Sequence, residues 1–191
     1  MKRVLHVGCG PKQVDNLPAL FRGEEWQEIR LDIDPDVGPD IIGSITDMKA
    51  VNDADFDALF SSHNLEHLYP HEVPSAVREF ARVLKPDGYA LIACPDMQSV
   101  AAVVAQGNLD ETLYDSQVGP IAAIDIMFGL RPQLAAGNLF MAHRTAFTQQ
   151  TLAKAIVKNG FTRAKVIRNE KKYSLLAYAY REQHLEASAE S

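Results

Sequence analysis

Short apolar runs alternate along this chain with segments in which apolar residues recur at helical spacing. The runs predict strands at residues 3–7, 28–33, 40–45, 56–61, 89–94, 164–168 and 174–180. A helix with one buried face is predicted between the fourth and fifth runs by Val73, Val77, Phe80, Ala81 and Leu84. A second helix is predicted over residues 149–159, with Thr148 as its N-cap and Gly160 closing its end. This alternation is typical of a parallel sheet covered by helices on both faces.

The last two predicted strands are joined by the polar turn at residues 169–172, so they can pair antiparallel. We therefore predict an α/β fold, a Rossmann-like doubly wound sheet of seven strands that is mostly parallel and has an antiparallel last strand. Residues 98–144 contain no predicted strand, and a connection of about 45 residues in a compact domain is usually functional. We interpret it as a helical cap inserted into a single domain at residues 1–182, with a flexible tail at 183–191.

Charge and length exclude several classes of protein. The chain has 191 residues, with 19 basic and 25 acidic side chains and a net charge of -6, and no basic cluster suggests a nucleic-acid partner. The apolar stretches at residues 99–105 and 121–130 are shorter than the ~20 residues that span a bilayer. We expect a cytoplasmic protein with no membrane span. Cys9 and Cys94 lack metal-ligand spacing, so no metal site is predicted, and they are interpreted as reduced structural thiols, with a catalytic thiol as the alternative.

A glycine-rich turn follows the first predicted strand, in the sequence VLHVGCGP at residues 4–11. A ligand can approach bare backbone at such a turn. The second strand ends in Asp32 and Asp34, at the spacing at which a carboxylate accepts hydrogen bonds from a ribose. Gln13 stands where a dinucleotide motif has its third glycine, and Pro18 interrupts the next helix. Both features favour S-adenosylmethionine (SAM), which has no phosphate, over NAD.

Four segments occur in the order and spacing of the motifs of class I SAM-dependent methyltransferases. They are LHVGCGP at residues 5–11, RLDID at 30–34, FDALFSSHNLEHL at 56–68 and RVLKPDGY at 82–89. The chain resembles this class over residues 3–96, more weakly over 143–180, and is most similar to small bacterial methyltransferases of the Rossmann-like type.

The resemblance implies SAM as cofactor, S-adenosylhomocysteine as product, and a set of cofactor-binding residues. The set is Gly8, Cys9, Gly10, Pro11, Asp32, Ile33, Ile45, Thr46 and Ser62. In it the glycines pass the methionine end of SAM, Asp32 holds the ribose, and Ile33 lies against the adenine. Two positions depart from the usual motifs: His6 replaces an acidic residue before the first glycine, and Ser44 stands where aspartate is frequent.

Methyl transfer is a direct in-line displacement, so the protein mainly holds the reacting atoms in position. An alcohol or amine acceptor also benefits from a base. His63 and His143 are the candidate catalytic residues, and structural hydrogen bonding is the alternative for each. We expect the cap to be mobile and to return His143 close to His63. The predicted function is methyl transfer from SAM to a small-molecule or glycan acceptor. A non-catalytic SAM-binding sensor or partner subunit and an NAD-dependent oxidoreductase are the alternatives, and the sequence does not indicate the oligomeric state.

Overall fold

The computed structural model of the protein describes residues 1–12, 17–116 and 118–181. Its strands are β1 (Lys2–Val7), β2 (Trp26–Asp32), β3 (Ile41–Ile42), β4 (Phe56–Ser62), β5 (Leu84–Pro95), β6 (Thr112–Ser116), β7 (Gly119–Ala122), β8 (Arg163–Asn169) and β9 (Ser174–Tyr180). Its α-helices are α1 (Val73–Val83), α2 (Met97–Ala105), α3 (Ala123–Phe128), α4 (Arg131–Ala135) and α5 (Gln149–Lys158).

Seven of these strands form one sheet in the order β3-β2-β1-β4-β5-β9-β8. The first five are parallel, and β9 runs antiparallel to both β5 and β8. The predicted Rossmann-like fold with its antiparallel last strand is confirmed. Strands β1 and β4 are central and almost wholly buried, because their apolar residues face helices or loops on both sides.

Three strands begin or end at least two residues from the predicted position. Strand β2 begins at Trp26, two residues before the apolar run, and β3 contains only Ile41 and Ile42 of the predicted 40–45. Strand β5 begins at Leu84, directly after α1, with an irregular register opposite Phe56 and Ala58. The third strand is short because it pairs with β2 at two positions only, at the edge of the sheet.

The main core lies between the sheet and helices α1 and α5. Phe80 and Val77 of α1 and Leu152 and Ile156 of α5 are fully buried there, as the helical spacing predicts. Thr148 caps α5 by accepting a hydrogen bond from the Thr151 amide at 3.2 Å. A smaller cluster around Phe21 and Phe60 covers the other face of the sheet.

The segment predicted as a cap, residues 98–144, lies between β5 and α5, and α2 begins one residue earlier, at Met97. The cap has a small core of its own, in which Val100, Ile121, Ala123 and Ile126 are buried. The cap is not wholly helical, because β6 and β7 pair as an antiparallel hairpin that the sequence analysis missed. Pro120 lies in β7, and a proline in a short apolar run argues against a strand unless the strand lies at an edge, as it does here.

None of the described helices is long and apolar enough to cross a membrane. The tail predicted at 183–191 lies outside the described residues, and so does Gln13, which stands where a dinucleotide motif has its third glycine.

Candidate active site

A cavity of about 770 Å³ opens at the carboxyl ends of β1, β2 and β4. In open α/β sheets, ligands bind at this edge. The predicted cofactor-binding residues all line this one cavity: Gly8, Cys9, Gly10, Pro11, Asp32, Ile33, Ile45, Thr46 and Ser62. Their side of the cavity is formed by the turn after β1, the end of β2, the segment after β3 and the end of β4.

Gly8 lies directly beneath the side chain of Asn64. Its φ angle is +57°, and a Cβ added there would lie 1.9 Å from Asn64 Oδ1. Asn64 Nδ2 donates to the Val7 carbonyl at 2.9 Å and to Ser61 Oγ at 3.1 Å, so the amide bridges the ends of β1 and β4. Glycine is therefore required at position 8 by a protein side chain as well as by backbone conformation.

Gly10 is held by residues of β2 through both its backbone amide and its backbone carbonyl. Its amide donates to Asp32 Oδ2 at 2.8 Å, and its carbonyl accepts from the guanidinium of Arg30, which is buried. The other Asp32 oxygen accepts from the Asp34 amide at 3.0 Å. The space above Gly10 is open as far as the described residues go, because a Cβ there would meet none of their atoms within 4 Å. The turn is thus fixed in place while its outer face stays accessible.

His6 is buried at the floor of the large cavity and pairs with Glu28. The distance from its Nδ1 to Glu28 Oε1 is 2.7 Å. Burial lowers the pKa of His6, and the hydrogen bond and charge of Glu28 offset this only in part. Glu28 on β2 therefore places a carboxylate beside His6, the residue that stands where the usual motif has an acidic side chain.

His63 follows β4 in a left-handed conformation with a φ angle of +56°, which is rare for a residue other than glycine. Its amide continues the sheet by donating to the Ala93 carbonyl at 2.9 Å, and its Nδ1 lies 3.0 Å from Oε1 of Glu66. Burial lowers the pKa of His63, but the hydrogen bond and charge of Glu66 outweigh burial and leave it raised. Burial raises the pKa of Glu66, and the partnership with His63 brings it below its ordinary value.

A second cavity of about 240 Å³ lies between the sheet edge and the cap. Its lining includes Tyr114, Ile121, Ile126, Leu130 and Tyr173. Both cavities are lined by His63, His67, Val118 and Met141. The two cavities are therefore adjacent, with the turn after β4 and part of the cap between them, and the cap forms the outer wall of the smaller one.

His143 lines the smaller cavity but not the larger one. Its ring lies against that of His67, with centroids 4.9 Å apart and an interplanar angle of 63°. Burial lowers the pKa of His143, and the charge of Glu66 offsets this in part. The cap thus returns His143 to the His67 turn, where it shares the smaller cavity with His63.

The two cysteines have the environment of structural thiols. Both are buried, and neither forms a disulfide. Burial raises the pKa of Cys9 to about 11 and that of Cys94 well above its ordinary value. Since the thiolate is the nucleophilic form, this favours structural thiols over a catalytic cysteine.

Sequence reasoning missed Arg30, Asn64 and Glu66 as parts of this site. All three lie inside the segments that carry the resemblance, but only their contacts in the fold show what they hold.

Residues 5–92 match the family described as a methyltransferase domain. Among curated proteins, none matches this chain in sequence. Two similar solved structures are the PH0226 protein from Pyrococcus horikoshii (17% identity, TM-score 0.62, covering 94% of this chain and 82% of that one) and a SAM-dependent methyltransferase from Archaeoglobus fulgidus (17%, 0.60, 94% and 86%). A third is 1,6-didemethyltoxoflavin-N1-methyltransferase from Burkholderia thailandensis, solved with 1,6-didemethyltoxoflavin and S-adenosylhomocysteine (15%, 0.56, 95% and 71%).

The match over residues 5–92, the sheet order and the cavity at the carboxyl edge of the sheet all agree with the predicted class I SAM-dependent methyltransferase. The matched domain and these similar structures support the predicted enzyme, with SAM as cofactor and S-adenosylhomocysteine as the cofactor product.

Proposed function

We propose that this enzyme transfers the methyl group of SAM to a small-molecule or glycan acceptor bound in the smaller cavity, by direct in-line displacement. The observation that carries the proposal is that the two cavities are adjacent and share the lining residues His63, His67, Val118 and Met141. A cofactor in the larger space and an acceptor in the smaller one meet there.

The larger cavity suits SAM in a defined orientation. The turn from Gly8 to Gly10, which is open above Gly10, accepts the methionine end of SAM. Asp32 accepts the ribose hydroxyls with the lone pairs that its bonds to backbone amides leave free. Ile33 is half-exposed at the cavity wall, where an adenine ring would cover it. The sulfonium then lies toward Ser62 and His63.

The smaller cavity suits a compact acceptor. Ligand sites commonly have volumes of about 300 to 1,000 Å³. The smaller cavity, at about 240 Å³, lies just below this range, so its size suits a small molecule or the terminal ring of a glycan. The Burkholderia enzyme is known with 1,6-didemethyltoxoflavin and S-adenosylhomocysteine bound, which supports a small-molecule acceptor. Two tyrosines, Tyr114 and Tyr173, stack at a centroid distance of 6.4 Å along the wall and offer an aromatic surface.

His63 is placed to remove the proton of a hydroxyl or amine acceptor. His63 lines both cavities, and Glu66 holds its Nδ1, which leaves Nε2 as the nitrogen able to take a proton. During displacement the acceptor's lone pair forms the new bond to the methyl carbon, the carbon–sulfur bond breaks, and the acceptor's proton passes to His63. His143 contacts the acceptor from the cap side.

The test is S-adenosylhomocysteine formation with a panel of small hydroxyl, amine and glycan acceptors. Leu130→Trp fills the smaller cavity, and Val157→Trp, on the exposed face of α5, is the matched control. We expect Leu130→Trp to abolish turnover while SAM affinity stays within a few fold, and Val157→Trp to retain both. Full turnover in Leu130→Trp, or methylation of protein or nucleic acid alone, contradicts the proposed acceptor pocket.

A further inference from the structure

Three side chains with metal-binding chemistry converge beside the smaller cavity. One ligand atom from each of Glu66, His67 and His143 lies within 4.8 Å of the other two. Ligands 2.0 to 2.1 Å from a tetrahedral zinc ion are about 3.3 to 3.5 Å apart, so modest side-chain rotation brings these atoms to coordination distance. Two histidines and a carboxylate are a donor set suited to a divalent transition metal.

Glu66 is a buried carboxylate with one oxygen in use. The residue is 1% exposed, and its Oε1 is paired with His63. Its Oε2 is also buried and has no hydrogen-bond partner among the described residues. A buried carboxylate oxygen without a donor or cation is costly, and a bound cation would compensate this one.

The two histidines are oriented as metal-ligating histidines usually are. His67 Nδ1 lies 3.2 Å from the Ala142 carbonyl, and His143 Nδ1 lies 2.7 Å from the Ile126 carbonyl. A carbonyl only accepts, so each Nδ1 carries the hydrogen and each neutral ring keeps the lone pair of Nε2 for a ligand. Donation from the other ring nitrogen to a carbonyl is the common outer-shell arrangement at metal sites.

The backbone fixes these distant parts of the chain to one another. The amides of Arg144 and Thr145 donate to the Glu66 carbonyl at 2.7 and 3.2 Å, and the Arg144 guanidinium donates to the His67 carbonyl at 2.7 Å. His143 is therefore held beside the 3-10 turn Leu65–His67 by its neighbours in sequence as well as by its own ring. The donor set is preorganised by the fold.

We propose that Glu66, His67 and His143 bind a divalent transition metal ion of the zinc type. Three protein ligands leave a coordination position open, and His67 and His143 both line the smaller cavity, so that position is available to an oxygen atom of the acceptor. The bound metal would stabilise a deprotonated hydroxyl and so favour oxygen acceptors over amines. The acceptor part of this inference rests on the proposed function, whereas metal binding itself does not.

The experiment titrates metal-free protein, without a histidine tag, with Co²⁺ and with Zn²⁺. Binding is followed by the visible absorption of bound Co²⁺ and by calorimetry. We expect one ion per chain, and affinities at least roughly 10-fold weaker in His67→Ala, His143→Ala and Glu66→Gln. His71→Ala is the matched control, since His71 is exposed and stacks on Tyr69 outside the cluster. We expect it to leave metal affinity unchanged.

Binding of S-adenosylhomocysteine is measured in the same samples to show that each variant is folded. Absence of stoichiometric metal binding to the wild-type protein, or binding that all three cluster substitutions leave unchanged, overturns the metal site. If the metal site fails but S-adenosylhomocysteine binding and turnover remain, the proposed function stands. If metal binds as expected and no small acceptor is methylated, the metal site stands and the proposed function fails.

Discussion

The Gly10 amide donates a hydrogen bond to Asp32 Oδ2 at 2.8 Å, so the glycine turn after β1 and the acidic end of β2 form one unit. The same carboxylate accepts from the Asp34 amide through its other oxygen. Asp32 therefore sets the conformation of the turn and presents charge to the larger cavity. Any substitution at this position acts on both.

Asp32→Ala should weaken SAM binding strongly while the protein remains folded. Hydrogen bonds to a charged group contribute roughly 1.5 to 3 kcal/mol each, so we expect a loss of about 10-fold to 1,000-fold in affinity. Asp34→Ala is the comparison, because Asp34 lines the same cavity but caps the turn that follows β2. Calorimetry that shows unchanged affinity in Asp32→Ala and a large loss in Asp34→Ala would move the ribose contact to Asp34.

Gly8→Ala should destabilise the protein more than Gly10→Ala. Both glycines have positive φ angles, and the left-handed conformation costs roughly 1 to 2 kcal/mol in other residues. Only at position 8 does the added Cβ also meet a side chain, that of Asn64. In urea unfolding, the double variant Gly8→Ala/Asn64→Ala should therefore be less destabilised than the two single effects added together. Simple additivity would show that the Asn64 contact does not constrain position 8.

His63→Asn should lower turnover while leaving SAM affinity within a few fold. Asparagine tolerates the positive φ angle at this position, so the variant removes the imidazole with little backbone strain. A general base contributes roughly 100-fold to 10,000-fold, and we expect a fall in kcat within this range for a hydroxyl acceptor. His71→Asn is the control, and wild-type kcat in His63→Asn would restrict His63 to a structural role.

Asp125→Asn should loosen the cap without loosening the sheet. Asp125 is buried and accepts from the Ala122 amide at 3.0 Å and from Arg131 Nε at 2.7 Å. Burial raises the pKa of Asp125, but these donors outweigh it and leave the pKa lowered, so the carboxylate form holds the cap together. In Asp125→Asn we expect amide hydrogen exchange in residues 98–144 to become roughly 10-fold faster or more, with β4 and β5 unchanged.

Asp110→Asn is the control for this prediction. Asp110 is exposed, and its Oδ1 lies 4.0 Å from Arg131 Nη1, so its contact with Arg131 is weak.

In the wild-type protein, we also expect the cap to exchange faster than the central strands and to slow when S-adenosylhomocysteine binds. Protection equal to that of the central strands, with or without ligand, would make residues 98–144 ordinary packing rather than a mobile cap.

The sequence predicted the sheet and one wall of the cavity because both depend on local patterns. Buried parallel strands are continuous apolar runs, and a glycine turn followed by an acidic strand end places both at one sheet edge. The nine residues from Gly8 to Ser62 share a cavity for this reason. Their individual roles toward SAM remain predictions.

The smaller cavity could not be predicted in the same way, because its walls come from parts of the chain that only folding brings together. His143 meets His67 through backbone bonds from Arg144 and Thr145, and no spacing in the sequence encodes that contact. The β6–β7 hairpin was not predicted, because a proline such as Pro120 argues against a strand in the sequence. In the fold, β7 pairs with β6 alone, so a proline is tolerated in it. Gly8 was predicted for ligand access, and the contact with Asn64 became visible only in the fold.

The central claim is that the cavity at the carboxyl edge of β1, β2 and β4 binds SAM and delivers its methyl group toward His63. Calorimetric titration of the wild-type protein with SAM, S-adenosylhomocysteine and NADH tests it most directly. We predict saturable binding of SAM and of S-adenosylhomocysteine at one site per chain, weakened in Asp32→Ala, and no binding of NADH. Saturable binding of NADH with no response to either SAM or S-adenosylhomocysteine would contradict the account.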